Sequence, residues 1–282
     1  APVHTTLHTV LARPTPPQRR VMDDVIHLSA RLAVMTERGR DLLRDVHGVS
    51  PDRVDVIPHG IPDVPFTGPA AHKEALGLAG FDVMLTFGLI SPGKGIEQAI
   101  AALPLVVARH PRATYVVLGA THPHLVRREG EAYRDALVDL ARKLGVERHV
   151  VFHDRYVELP ELLRFIAAAD VYLTPYLGED QIGSGTLAYA YGCGTPVVST
   201  PYWHARELLA DGRGVLVPFR DPAAIAAAVD GLLGDDDRRA AMCRRGWEHG
   251  REMVWSRVAA RYAEAFRRTR LATTVKPRRA AG

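Results

Sequence analysis

Short apolar runs alternate along this chain with longer segments in which apolar residues recur every three or four positions. Runs of the first kind predict strands, and the second pattern predicts helices with one apolar face. The predicted strands after residue 70 cover 83–87, 113–118, 149–152, 171–174, 197–199 and 215–217. The predicted helices between them cover 96–109, 131–144, 159–168, 187–191, 204–209 and 222–233. Such alternation is typical of a parallel sheet with helices on both faces, so the predicted fold class is α/β.

The first sixty residues show the same pattern less regularly. Strands are predicted there at 3–10, 31–35 and 54–57. Thr36 is a suitable N-cap for a helix that Gly48 ends. The segment 61–69 holds three prolines and has no apolar periodicity, which is typical of a linker. An arginine-rich helix is predicted at 255–269, followed by a polar basic tail at 271–282 that we expect to be disordered.

The segment 175–196 holds the strongest candidate for a binding site. It follows a predicted strand and contains a loop with Gly183 and Gly185 that leads into a helix. The start of a helix exposes unpaired N–H groups and a partial positive charge, so it suits a phosphate. Ser184 and Thr186 can add hydroxyl donors. An ordinary turn between a strand and a helix explains this local sequence equally well.

A second glycine loop lies at 87–97, where Gly88, Gly93 and Gly95 surround Lys94. A lysine just before a helix can reach a phosphate as a point charge. The loop lacks the GxxxxGK[ST] spacing of a Walker A motif, and a solvated turn residue is the commoner explanation for one such lysine. Its place at the end of a predicted strand favours a binding role, because α/β folds bind ligands at that edge of the sheet.

Several histidines fall near the ends of predicted strands. His8 ends the first strand and can hydrogen-bond a reacting sugar, although a structural role is the commoner explanation for a single histidine. His59 either lines a cleft or is structural. His122 and His124 lack a third metal ligand nearby, which favours loop or substrate contacts. The run 153–155 suits either a base or ribose contact or an internal ion pair.

Composition narrows the class of protein. The 282 residues suffice for one large or two small domains. The net charge of +4 suits anionic small molecules or peripheral contact with a membrane surface, and solvated faces also explain it.

Two cysteines, Cys193 and Cys243, favour a reduced cytoplasmic setting over a disulfide framework. No apolar run approaches the ~20 residues of a membrane span, and no signal peptide is visible. Because a β-like run begins close to Ala1, we expect an earlier part of the protein to be absent.

Four motifs in a fixed order resemble a known family. They are FGLISPGKGIE, YVVLGATHP, ADVYLTPYLGEDQIGSGTLAYAYGCGTPVVST and ELLADGRGVLVPFRD. Together they resemble the nucleotide-sugar-binding half of the retaining glycosyltransferases of family 4, which have the GT-B fold. The runs TLHT, RLAVMTERGRDLL and VDVIPHGIPD resemble the end of that family's acceptor-side domain. The resemblance covers about residues 3–268.

The resemblance implies a GT-B type division of the chain. Residues 1–62 would be the end of an N-terminal Rossmann-like domain, and 63–250 a complete C-terminal nucleotide-sugar-binding domain. Residues 251–270 would form a helix that crosses back to the first domain, and 271–282 the basic tail.

The resemblance also implies roles for single residues. Lys94 matches a lysine that contacts the donor diphosphate, His8 a histidine near the sugar, and 183–186 the helix start beneath the phosphates. The implied catalytic residues are His8, Lys94 and Gln181. The implied donor-binding residues are Gly88, Lys94, Glu179, Gln181, Gly183, Ser184, Gly185, Thr186 and Tyr189.

Three positions depart from the family pattern. Leu89 stands where the family usually has an arginine, and Gln181 and Tyr189 stand where it has two glutamates. Gln181 can hydrogen-bond sugar hydroxyls but carries no charge, and Tyr189 can either reach ribose or pack. Glu179 and Asp180 can restore a carboxylate from a shifted loop. SGTLAYA and STPYW are similar to a bacterial subgroup of the family, so these departures fit subgroup traits.

The function implied is transfer of a hexose from a nucleotide-diphosphate sugar to a saccharide or lipid-linked acceptor with retention. GDP-mannose is the first donor candidate on family grounds. No metal, other cofactor or nucleic acid partner is expected, since the sequence has no clustered acidic ligand set. Two alternatives remain: a catalytically inactive nucleotide-sugar-binding protein, and a phosphorylase of the same fold that uses inorganic phosphate.

Overall fold

The computed structural model describes residues 2–274, with side chains for 2–270. The strands of this part are β1 (His4–Thr6), β2 (Arg31–Val34), β3 (Val54–Val56), β4 (Asp82–Phe87), β5 (Ala113–Leu118), β6 (Val150–His153), β7 (Val171–Thr174), β8 (Val197–Ser199) and β9 (Val215–Leu216). Its α-helices are α1 (Pro16–Leu28), α2 (Glu37–His47), α3 (Ala70–Ala75), α4 (Ile96–Arg109), α5 (Pro123–Glu129), α6 (Ala132–Lys143), α7 (Leu159–Ala168), α8 (Gly185–Gly192), α9 (Trp203–Leu208), α10 (Pro222–Leu233), α11 (Asp236–Gly250) and α12 (Trp255–Thr274). The fold is α/β, as the sequence pattern predicts.

Six strands form one parallel sheet in the order β6-β5-β4-β7-β8-β9. β4 pairs with β5 along its whole length and with β7 at Met84 and Leu85 on its other side. Strand order runs outward from β4 in one direction and from β7 in the other, so the chain switches direction across the sheet at this pair. In open α/β sheets, such a switch point leaves a crevice at the carboxyl ends of the strands, where ligands bind.

Helices cover both faces of this sheet. Alternate residues of β4 enter two cores: Leu85 packs with Val116 and Tyr172 on one face, and Met84 packs with Tyr115 on the other. All five side chains are at most 1% exposed. Burial on both faces explains the nearly continuous apolar runs that the strands show in sequence. It also gives the loops at the strand ends a rigid base.

The other three strands form a parallel sheet in the order β1-β2-β3. α12 packs on this sheet, and the Tyr262 hydroxyl lies 3.2 Å from Thr6 Oγ1. The chain passes between the two sheets twice, and Ile61 and Val254 form a parallel bridge where these crossings meet. The last helix therefore lies on the first sheet, while the four-part division of the chain stays a prediction.

The structure differs from the predicted elements in four places. α5 occupies a stretch predicted as a loop, because Pro123 stands at a helix start that the His122 side chain caps. The pattern predicts no helix at α11, where Met242 and Trp247 interrupt a largely charged sequence without forming a broad apolar face. β1 covers three residues of the eight predicted. The predicted basic tail begins inside α12, which ends at Thr274, and the rest of it lies outside the described residues. Among the described helices, none combines the length and apolarity needed to cross a membrane.

Candidate functional site

The two glycine loops predicted from the sequence meet at the switch point of the six-stranded sheet. One loop follows β4 and the other follows β7, and these strands are neighbours. Gly88 has a φ of 108°, and a Cβ there would lie 3.0 Å from Thr186 Cγ2. A Cβ at Gly95 would lie 2.0 Å from the carbonyl oxygen of Pro175. Only residues without a Cβ let the two loops approach this closely.

Tyr176 joins Lys94 to the start of α8. The Lys94 ammonium donates to the Tyr176 hydroxyl at 2.6 Å. That hydroxyl lies 3.2 Å from Thr186 Oγ1 and 3.4 Å from Ser184 Oγ. Burial alone would raise the pKa of Tyr176, but the charge and hydrogen bond of Lys94 outweigh it and lower that pKa below its usual value. We call these four residues the Tyr176 cluster.

The start of α8 adds backbone donors to the Tyr176 cluster. Ser184 is the N-cap, and its Oγ accepts from Leu187 N at 3.3 Å. The Ser184 amide donates to Nδ1 of His204 at 2.8 Å. Burial lowers the pKa of His204 to about 3, so this ring is neutral near neutral pH and can accept. The amides of Gly185 and Thr186 have no partner within the helix, so they and the helix dipole suit an anion.

The other predicted residues of the β7–α8 loop are engaged in local contacts. The Gln181 side-chain amide donates to the Gly183 carbonyl in the same loop. Glu179 forms an exposed ion pair with Arg206 at 3.6 Å. His8 is exposed, and its carbonyl oxygen lies 3.9 Å from the position of a Cβ on Gly183. The structure therefore brings His8 beside this loop, while Gln181 and Glu179 are bound to other protein groups.

His59 and Tyr189 form the side of the site nearest α12. Their rings are edge to face with centroids 6.0 Å apart, and the Trp255 ring lies 6.0 Å from His59 on another side. A Cβ on Gly185 would lie 2.8 Å from His59 Nε2. Tyr189 and Trp255 therefore lie on the His59 ring, which packs against the first residue of α8.

An apolar cavity of about 380 Å³ opens beside Gly88. Its lining includes Leu118, Val157 and the exposed side chains of Leu89 and Tyr156. The cavity lies at the carboxyl ends of β4 and β5, on the side of Gly88 away from β7. Its apolar walls suit a flat ring.

Ion pairs hold the loop after β6. Asp154 binds Arg134 Nη2 at 2.6 Å, and Arg134 also donates to the Gly119 carbonyl at 3.0 Å. Arg155 donates to Glu161 at 2.9 Å. The internal ion pair that the sequence offers as an alternative for this loop is therefore observed.

Within the described residues, no group of three or more histidine, cysteine, aspartate or glutamate side chains is placed to hold a metal ion.

Tyr176 and His204 are site residues that sequence reasoning misses. Tyr176 follows a proline in a loop, where a tyrosine is usually exposed, and its ring is instead stacked on Tyr202 at 4.8 Å. His204 lies in α9 and accepts a hydrogen bond from the Ser184 amide. Proximity to the glycine loop does not indicate either role. The contacts of Tyr176 with Lys94 and of His204 with Ser184 form because the fold brings these segments together.

The fold and the site together define a class of protein. A six-stranded parallel sheet, a second parallel sheet carrying the last helix, and an anion-suited crevice at the switch point are the architecture of the GT-B glycosyltransferases. Anabaena HepE, solved with UDP and glucose, is similar with a TM-score of 0.80 and 20% identity, over 94% of this chain and 71% of that one. Sucrose-phosphate synthase from Thermosynechococcus elongatus has a TM-score of 0.81 and 21% identity, over 95% of this chain and 68% of that one.

This chain belongs to the family of glycosyl transferases group 1, whose model matches residues 82–235, more than half of the sequence. D-inositol 3-phosphate glycosyltransferase of Kineococcus radiotolerans is 32% identical in an alignment of 272 positions that covers 89% of this chain and 60% of that protein. The protein of the same name from Xylanimonas cellulosilytica is 34% identical in an alignment of 274 positions that covers 89% of this chain and 61% of the relative. The chain thus spans about three fifths of the length of these curated relatives.

Proposed function

We propose that this chain carries the donor-binding part of a glycosyltransferase that moves a hexose from a nucleoside-diphosphate sugar to an acceptor. The observation that carries this proposal is the Tyr176 cluster, in which Lys94 and the hydroxyls of Ser184 and Thr186 converge at the start of α8. A diphosphate presents two adjacent negative charges, and an ammonium group with free backbone amides complements them. Membership of the family supports the reaction class.

The site would act by stabilising the diphosphate as it leaves. When the bond between sugar and diphosphate breaks, negative charge develops on phosphate oxygens, and Lys94 with the amides of Gly185 and Thr186 offers fixed positive partners. Retention requires the acceptor to attack on the face from which the diphosphate leaves, where a phosphate oxygen can take the acceptor proton. Because Lys94 supplies the positive charge that a metal ion supplies in many phosphoryl sites, we propose a reaction that needs no metal.

His8 and Gln181 are the proposed positioning groups for the sugar. Both lie beside the β7–α8 loop, so they border the space next to the diphosphate. Gln181 must exchange its hydrogen bond to Gly183 for one to a sugar hydroxyl. Holding the sugar in one orientation lowers the entropic part of the barrier.

The apolar cavity beside Gly88 is the proposed seat of the nucleobase. Gly88 borders both the cavity and Thr186, which matches a base joined to a diphosphate through ribose. Tyr156 and Leu89 offer surfaces on which a base can stack. HepE has been solved with UDP-glucose, so UDP-glucose is the first donor to test beside GDP-mannose. The relatives named for D-inositol 3-phosphate make that compound the first acceptor to test, beside saccharide and lipid-linked acceptors.

We also propose that the protein works in the cytoplasm. Cys193 and Cys243 are both free thiols, and free thiols persist in reducing compartments.

A nucleotide-sugar-binding protein without turnover is the second candidate. Gln181 and Tyr189 supply no carboxylate where the family has glutamates, and the nearby Glu179 is paired with Arg206. Donor binding without transfer or hydrolysis would establish this alternative. A phosphate-dependent reaction that needs no nucleotide would instead establish a phosphorylase.

Calorimetric titration of the 282-residue chain with UDP-glucose and GDP-mannose tests the proposal. We expect Lys94→Ala to weaken binding of the preferred donor about 10- to 100-fold, because a hydrogen bond to a charged group is worth about 1.5–3 kcal/mol. Lys143→Ala is the matched control. Lys143 is exposed at the C-terminal end of α6, which leads to the start of β6 and so to the end of the strands away from the site. Absence of donor binding, or equal affinity in Lys94→Ala and the wild type, would contradict the proposal.

A further inference from the structure

We infer that His59 is a ligand of the diphosphate and that it takes up a proton from solvent when the diphosphate binds. This inference rests on the proposed function. His59 lies in the segment between the two sheets, and neither its position in a motif nor the family resemblance assigns it a role.

The ring of His59 packs against the first residue of α8. A Cβ on Gly185 would lie 2.8 Å from His59 Nε2 and 3.2 Å from its Cε1, so only glycine leaves room for the ring. Gly185 stands between Ser184 and Thr186, which belong to the Tyr176 cluster. Nε2 therefore lies at the helix start where the diphosphate is proposed to bind.

The contacts of the ring decide which nitrogen carries the hydrogen. Nδ1 lies 2.8 Å from the Gly60 carbonyl oxygen. A carbonyl oxygen only accepts, so Nδ1 is the donor, and Nε2 of the neutral ring holds a lone pair. Within the described residues, Nε2 forms no hydrogen bond, and the His59 side chain is only partly buried. Nε2 therefore has a free site for a hydrogen bond with a ligand.

The surroundings of His59 favour a neutral ring before a ligand binds. Burial lowers the pKa of His59 below its usual value; the hydrogen bond to Gly60 opposes this effect, and a charge on His8 adds to it. His204 stays uncharged, because burial lowers its pKa to about 3. The rings of Tyr189 and Trp255 lie beside His59, and His8 and His204 are the titratable side chains whose charges couple to it. Lys94 is the charged member of the Tyr176 cluster.

A diphosphate reverses this preference. The lone pair of a neutral Nε2 repels a phosphoryl oxygen, whereas a protonated Nε2 donates a charge-assisted hydrogen bond to it. The bound anion therefore raises the pKa of His59, and the ring gains a proton without any covalent change in the ligand. Affinity is then greatest below the pKa of the free ring, falls as the pH rises from that value to the raised pKa of the bound ring, and is constant above it.

Calorimetry with UDP-glucose in buffers of different ionisation enthalpy counts the protons taken up. UDP-glucose is suitable because it lacks a terminal phosphate, whose second ionisation near pH 6 would add protons of its own. GDP-mannose serves in the same way if it is the donor that binds. We expect the wild type to take up about one proton per nucleotide sugar near neutral pH, and its affinity to fall as the pH is raised.

Three variants separate His59 from other sources of the proton. His59→Gln keeps an amide donor but cannot ionise, so proton uptake should be lost and affinity should no longer depend on pH. His59→Phe removes the donor and should weaken binding about tenfold or more at acidic pH. His149→Gln is the matched control. His149 Nδ1 also contacts a carbonyl, that of Ala113 at 2.8 Å, but it lies where β5 and β6 begin, at the end of the strands away from the site. This variant should keep the proton uptake.

The outcomes distinguish this inference from the proposed function. Donor binding without proton uptake in the wild type, or unchanged uptake in His59→Gln, would overturn the role of His59 and leave the donor site standing. Failure of the wild type to bind either nucleotide sugar would remove both.

Discussion

Asp55 helps to join the last helix to the small sheet. Its carboxylate accepts from Arg31 Nε at 2.8 Å and from Arg268 Nη2 of α12 at 2.8 Å. Burial opposes its ionisation, but the two arginines outweigh burial and hold the pKa of Asp55 below its usual value. We expect Asp55→Asn to lower the free energy of unfolding by about 2 kcal/mol at neutral pH, because hydrogen bonds between charged groups are lost. Urea denaturation measures this difference.

The effect of Asp55 should depend on pH in one direction. A carboxyl group with a lowered pKa in the folded state contributes its stability above its unfolded pKa, about 4, and loses it as the pH falls through the folded value. The difference between wild type and Asp55→Asn should therefore shrink in acid. Asp139→Asn is the control, since Asp139 pairs with Arg142 at 3.0 Å on an exposed surface, and it should change stability little. A difference that persists unchanged in strong acid would contradict this role.

Among the elements, α8 begins at a residue that is both a helix cap and a proposed binding residue. Ser184 caps the helix, and its hydroxyl belongs to the Tyr176 cluster. Asp221 caps α10 in the same way, accepting from Ala224 N at 2.9 Å, away from the site. We expect Ser184→Ala and Asp221→Ala each to lower the free energy of unfolding by about 1 kcal/mol, as measured by thermal denaturation. Only Ser184→Ala should also weaken nucleotide-sugar binding, and equal affinities in the two variants would exclude Ser184 from the site.

Elements with strong local signals were predictable from the sequence. β5 and α4 match their predicted bounds at both ends, because a strand buried on both faces and a helix with one apolar face leave clear patterns. α11 lacks such a pattern, since its charged and apolar residues are mixed and its place is decided by packing on α8 and α10. Local pattern therefore predicted the large sheet well and missed α11.

The candidate site was predictable only as far as its two loops. Glycines and strand ends indicated that Lys94 and Ser184 would lie at the same edge of the sheet, and both contact Tyr176. The residues that complete the site depend on contacts between distant segments. His59, whose role the sequence left open, approaches Gly185 from the crossing between the sheets. His204 reaches the loop from α9, and no spacing in the sequence indicates this contact. The catalytic and binding roles of the predicted residues stay predictions.

In the whole molecule, the β7–α8 loop and α9, which belong to the large sheet, contact α2, which follows a strand of the small sheet. The Thr36 hydroxyl at the start of α2 donates to the Ile182 carbonyl at 3.2 Å. The α2 amides of Glu37 and Arg38 donate to Glu207 of α9 at 2.9 and 2.8 Å. A charged cavity of about 680 Å³, lined in part by Arg38, opens between these elements. The loop that carries the proposed sugar contacts therefore borders this cavity through Glu179 and Asp180.

A crystal structure of the chain with UDP-glucose or GDP-mannose, whichever binds, tests the central claim most directly. We expect diphosphate oxygens about 3 Å from Lys94 Nζ and from the amides of Gly185 and Thr186, the distance of a hydrogen bond. The base should occupy the apolar cavity beside Gly88. A nucleotide sugar bound elsewhere, or a diphosphate that Lys94 does not contact, would contradict the account.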